Sequence, residues 1–138
     1  MAVTGHCLCG ATKLTADIDI KDATVGFDHC DACQRQTGSA FSLVVVAPRD
    51  KVKITGDVKD YAKPGDSGKD VHRIFCGTCG SPMAHAPDAA KDIIAIKGGI
   101  LDSSIKKQLP TPAIDIYTQD KLPLVTQEAD KAFKGMPE

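Results

Sequence analysis

The sequence predicts a mainly β fold of short antiparallel sheets with little helix, on three observations. Short apolar runs alternate with polar residues at a period of two, clusters of turn-forming residues separate them, and helical periodicity is scarce. The 138 residues are the size of one domain, expected to span 1–138.

Taken in order, Ala11 to Ala16 alternates small or apolar residues with polar ones. Phe41 to Ala47 is a β-branched run suited to a buried strand. Val52 and Ile54 lead into the turn Thr55-Gly56-Asp57, and Val71 to Phe75, Ile93 to Lys97 and Ala113 to Thr118 read as further strands. Turn signals stand at Pro48-Arg49-Asp50, Gly98-Gly99 and Pro110-Thr111-Pro112. The loop-like cluster from Lys63 to Gly68 is too short to divide two domains. Helix is expected only as a short turn after Cys30 and a weak segment from Gln127 to Phe133.

Composition narrows the function. There is no Trp, and only four Phe and two Tyr, so core volume must come from Val, Ile, Leu and Ala, and a metal clip would help such a core. The net charge is −1 with no basic stripe, which argues against a nucleic-acid partner. Apolar runs such as Leu43 to Ala47 fall far short of the roughly 20 residues of a membrane span. The start, Met1 to Gly5, lacks a basic stretch followed by an apolar one, so a cytoplasmic protein is expected.

In that compartment six cysteines point to metal rather than to disulfides. They form three groups, Cys7-Leu8-Cys9, Cys30-Asp31-Ala32-Cys33 and Cys76-Gly77-Thr78-Cys79, each spaced for two thiolates on one zinc. An extended Cys7-Leu8-Cys9 puts both sulfurs on one side. Cys76 to Gly80 has the form of a zinc knuckle, with Gly77 and Gly80, and Gly10 after Cys9, expected to curl the backbone and donate N–H groups to sulfur. Spacing alone leaves open which groups share an ion. In the middle group, an extended segment before Cys30 would put Asp28 on the face of Cys30 and His29 opposite, which favours Asp28 as a third ligand. Three protein ligands with an open fourth position is the catalytic form of a zinc site. Two other readings of Cys30 and Cys33 stand beside it: a redox dithiol, for which the usual βαβ pattern is missing, and a purely structural pair.

The order Gly5-x-Cys7-x-Cys9-Gly10, His29-Cys30-x-x-Cys33 with Gly38, and Phe75-Cys76-x-x-Cys79-Gly80 resembles the glutathione-dependent formaldehyde-activating family, which includes centromere protein V. Gly99-Ile100-Leu101-Asp102 and the stretch from Pro112 to Tyr117 followed by Gln119-Asp120-Lys121 continue the resemblance. It implies a zinc-bound β-tent with two metal sites. Cys7, Cys9, Cys76 and Cys79 would hold a structural zinc; Cys30 and Cys33 would hold a catalytic zinc, with Asp28 where the family carries a third cysteine. Leu124 stands where members often carry Trp.

The activity this implies is that of a carbon–sulfur lyase acting on a glutathione, or other thiol, adduct of a small carbonyl compound. Catalysis would fall to Asp28, Cys30 and Cys33, with His29 as proton carrier. Arg35, Gln36 and Thr37 would contact substrate, Arg35 through an anionic group, while His72 and His85 read as structural. Two alternatives stay open: a lyase or isomerase of the same fold acting on a specialised metabolite without glutathione, and a non-catalytic interaction module.

Overall fold

The protein is described by a computed structural model over residues 2–137. Strands β1 (Val3–His6), β2 (Thr12–Ala16) and β5 (Val52–Gly56) form a three-stranded antiparallel sheet in the order β1-β2-β5. The larger sheet uses β3 (Thr24–Asp28), β4 (Ser42–Pro48), β6 (Val58–Pro64), β7 (Asp70–Cys76), β8 (Pro82–Pro87), β9 (Ile93–Lys97), β10 (Ile114–Ile116) and β11 (Lys131–Ala132). Its eight strands run in the order β11-β10-β3-β4-β9-β8-β7-β6. Most neighbours are antiparallel, but β10 pairs in parallel with both β3 and β11. The fold is therefore mainly β, as expected. Two short helices complete it, α1 (Asp31–Thr37) and α2 (Ser103–Lys106). Among the described residues no helix is long and apolar enough to cross a membrane.

Period-two alternation sorts the large sheet into two chemically different faces. Val25, Val45, Ala47, Ile94, Ile96, Ala84 and Ile74 point inward and join Val3, Leu14, Ala16 and Val52 of the small sheet in one apolar core. Each fully buried Val, Leu or Ile there contributes about 1.5–3 kcal/mol relative to exposure. The other face is carried across the sheet by register. Asp28 lies opposite Ser42, Val44 opposite Lys97, Ala95 opposite His85, and Arg73 between His85 and Tyr61. Because Ser42 and Val44 share a side, as do Ala95 and Lys97, one face collects Asp28, Lys97, His85, Arg73 and Tyr61.

The expected helix after Cys30 is present, but Gln127 to Phe133 is not helical. Its Lys131 and Ala132 form β11, and the buried carboxylate of Asp115 accepts a hydrogen bond from the Ala129 N–H at 2.9 Å. Pairing with β10 thus overrides the local helical preference of that segment.

Candidate metal and active site

The first and third cysteine groups meet. The donor atoms of Cys7, Cys9, Cys76 and Cys79 lie within 4.8 Å of one another. Cys7 Sγ is 3.6 Å from Cys9 Sγ, which is 3.8 Å from Cys76 Sγ. Zinc–sulfur bonds of about 2.3 Å at tetrahedral angles put sulfurs about 3.8 Å apart, so the donor set fits that ion. Cys7 and Cys76 are buried, while Cys9 and Cys79 reach the surface.

The backbone feeds these sulfurs, though not through the expected glycines. Thr12 N–H donates to Cys7 Sγ at 3.2 Å, Ala11 N–H to Cys9 Sγ at 3.4 Å, and Thr78 N–H to Cys76 Sγ at 3.4 Å. Gly10 and Gly80 supply the turns instead, at φ +84° and +79°, and their N–H groups donate to carbonyls of Cys7 and Cys76. Gly77 leaves room for the Asp57 carboxylate, which a Cβ there would meet at 2.6 Å. Nor is Cys7-Leu8-Cys9 extended; β1 ends at His6 and the two thiols are brought together by a turn. The Ser81 hydroxyl and backbone N–H, with the neighbouring Cys9, lower the Cys79 thiol to about 5.

The middle group also assembles. One donor atom each of Asp28, Cys30 and Cys33 lies within 4.8 Å of the others. Asp28 ends β3 and Cys30 caps α1, its Sγ accepting from Cys33 N–H at 3.2 Å. Asp28 Oδ1 accepts from Cys30 N–H at 3.1 Å, which fixes the carboxylate beside the thiols. A carboxylate and two thiolates suit zinc with a position left for a further ligand. Between the two thiols, the Cys33 thiol and its N–H hold Cys30 below the ordinary thiol range, against the effect of burial. The same hydrogen bond to Cys30, with burial and the Asp28 charge, pushes Cys33 up.

This group opens on a cavity of about 980 Å³, whose lining includes Asp28, Cys30, Tyr61, Arg73, His85 and Tyr117. Of the residues expected to contact substrate, Arg35 and Gln36 line it. Arg35 is 79% exposed and its Nε donates to Asp31 at 2.7 Å, so its charge is already paired. Thr37 does not line the cavity; its hydroxyl donates to the Cys33 carbonyl at 2.7 Å and finishes the helix before Gly38.

The expectation for His29 as proton carrier needs correction. The alternation that brings Asp28 to the cysteines turns His29 the other way, as anticipated, and its side chain is fully buried. Its Nε2 lies 2.7 Å from Asp115 Oδ1, while Nδ1 has no partner beside the Phe27 and Phe41 rings. A neutral ring donating from Nε2 leaves only a lone pair on Nδ1. The imidazole that faces the cavity is His85, read from sequence as structural. Its Nε2 is 3.9 Å from Asp28 Oδ2, and its Nδ1 is 3.2 Å from Lys97 Nζ, which donates to Ser42 Oγ at 2.7 Å. Burial first, then the charges of Lys97 and Arg73, push His85 well below its ordinary range. Burial also lowers Lys97. Burial and the Asp66 carboxylate raise the Tyr117 hydroxyl.

Comparison with known proteins decides the family. The family model described as "Glutathione-dependent formaldehyde-activating enzyme" matches residues 2–120. The chain belongs to this family. A solved structure of the same fold, a crystal structure of a Rhodobacter sphaeroides protein, superposes with a TM-score of 0.55 at 19% identity. The match covers 72% of this chain and 88% of that one. Membership of the formaldehyde-activating family covers all three cysteine groups and the sheet face around the second.

Proposed function

We propose that the chain is a zinc-dependent enzyme of carbon–sulfur lyase type, acting on the adduct of glutathione or another thiol with a small carbonyl compound. The single observation carrying this is the Asp28, Cys30 and Cys33 donor set at the wall of a cavity of about 980 Å³ in a member of this family. Asp28, Cys30 and Cys33 would hold the ion, and Cys7, Cys9, Cys76 and Cys79 a separate structural one. Zinc there supplies Lewis acidity at an open coordination position.

The reaction is a reversible addition. In the forming direction the thiol sulfur bonds to the carbonyl carbon, the π pair moves to oxygen, and the thiol proton ends on that oxygen. In the lyase direction the carbon–sulfur bond breaks and the proton returns to sulfur. Asp28 keeps the anionic charge of the cysteine it replaces but is a harder donor, which leaves the site more electrophilic. His85, held neutral, offers a hydrogen bond to an oxygen in the cavity. Gln36 and Arg35 stand at the cavity wall to contact the rest of the thiol compound. A reducing cytoplasmic setting suits six cysteines, all free.

The test is exchange NMR on formaldehyde and glutathione with the zinc-loaded protein. Faster interconversion of the hemithioacetal, lost in Cys30→Ser, is expected. Rates equal to the spontaneous reaction would remove glutathione and formaldehyde as substrates. Zinc analysis runs alongside: two ions per chain are expected, and one ion, unchanged by Cys30→Ser, would reject the catalytic site.

A further inference from the structure

One side chain of the cavity stands out from the others in what it touches. Arg73 Nη1 donates to Cys33 Sγ at 3.2 Å and to Gln36 Oε1 at 3.3 Å. It reaches the cluster from β7, four strands across the large sheet from β3, which carries Asp28. Register fixes its direction, because Arg73 lies between Tyr61 and His85 on the face that lines the cavity. Gln36 lies one turn after Cys33 on α1, and both accept from the same Nη1.

We propose that Arg73 is the positioning residue of the second cluster. It holds the Cys33 sulfur in its ligating pose and draws charge from it, so that the ion bound there is more electrophilic. This rests on the reading of Asp28, Cys30 and Cys33 as metal ligands. The argument is chemical. A guanidinium is charged at every working pH, so its hydrogen bond to a thiolate is charge-assisted. Hydrogen bonds to a ligating atom fix its orientation and tune the metal it holds. Here the effect acts in the same direction as Asp28, and two of the three donors then give less charge than free thiolates would. Three anionic donors and a divalent ion leave a charge of −1, which the cations Arg73 and Lys97 beside them offset. Arg35 adds nothing to that sum because Asp31 neutralises it.

The deciding measurement is the thiolate-to-metal charge-transfer band of the full chain loaded with cobalt(II), taken as a difference against Cys30→Ser. In Arg73→Met the Cys33 sulfur donates more strongly, and the band moves to longer wavelength. Retention of the ion against a competing chelator weakens about 10- to 100-fold. Arg73→Gln, which keeps a neutral donor, shows the same changes at smaller size and serves as the readout if the Met variant does not fold. An unchanged band and unchanged retention in a folded Arg73 variant overturn the proposal while the metal reading stands. A parent protein with no difference band against Cys30→Ser overturns both, and so tells the two failures apart.

Discussion

The two cysteine clusters share a ligand chemistry and differ in everything around it. The Cys7, Cys9, Cys76 and Cys79 group closes on itself, with four sulfurs from two turns and hydrogen bonds from the backbone. The Asp28, Cys30 and Cys33 group has one donor fewer, faces a cavity, and is surrounded by charged and polar side chains: Arg73, Lys97, His85 and Gln36. The difference teaches that spacing of thiols identifies a candidate metal site, but what lies beyond the donor atoms decides whether such a site would hold the chain together or work on something else. Backbone N–H groups and the Ser81 hydroxyl hold the first cluster, whereas the second depends on side chains drawn from four strands.

Substitutions can break that contrast, and the largest effect belongs to the closed cluster. Cys76→Ser should cost most of the fold. A structural zinc site contributes on the order of 10–16 kcal/mol of apparent binding free energy, as much as or more than the roughly 5–15 kcal/mol that holds most domains folded. Loss of the cooperative thermal transition, followed by far-UV circular dichroism with zinc analysis, checks this; a variant that melts like the parent would make the closed cluster dispensable. The open cluster should behave oppositely. Asp28→Asn keeps size and the hydrogen bond from Cys30 N–H but removes the charge, so the transition should stay cooperative. Retention of the second ion should fall by at least the 10- to 100-fold typical of lost outer partners, read by chelator competition.

The smallest effect sharpens the comparison on the strands that support the cavity wall. His72 Nδ1 lies 2.8 Å from Asp60 on β6 and its Nε2 3.1 Å from Asp88 after β8, so it ties together the strands that carry Tyr61 and Arg73. The Asp60 hydrogen bond, then that of Asp88, raises His72 above its ordinary value. The folded state therefore binds the proton more tightly than the unfolded chain. The clip is fully present below about pH 6.5, the unfolded value, and fades as pH rises through the higher folded one. His72→Gln should lower the melting temperature more at pH 6 than at pH 9. A difference independent of pH would show that the ring acts only by packing.

Much of this could be read from the residues, and the failures have physical causes. Strands with a β-branched or alternating pattern were legible, as in Thr12–Ala16, Ser42–Pro48 and Ile93–Lys97. β6 was not, because an edge strand exposed along its whole length needs no apolar alternation. β8 carries no apolar alternation and has Pro82 and Pro87 at its two ends, where a missing N–H is tolerated. Asp28 was found because alternation is a local rule. Arg73, His85 and Lys97 were missed because their meeting depends on strand order, which no local pattern carries. One signal was available: Lys97 closes an apolar strand in phase with Ala95, and a charge on a buried face calls for partners.

The closed cluster also has a consequence in time. Cys9 and Cys76 are separated by 67 positions in the chain. At the roughly 5–20 residues per second of protein synthesis, the first thiol pair waits about 3 to 13 s for its partners to be made. During that interval two reactive sulfurs stand without the knuckle that completes them. If zinc fills this cluster as proposed, its supply during synthesis would govern how much chain matures, before the finished fold's own stability is ever tested.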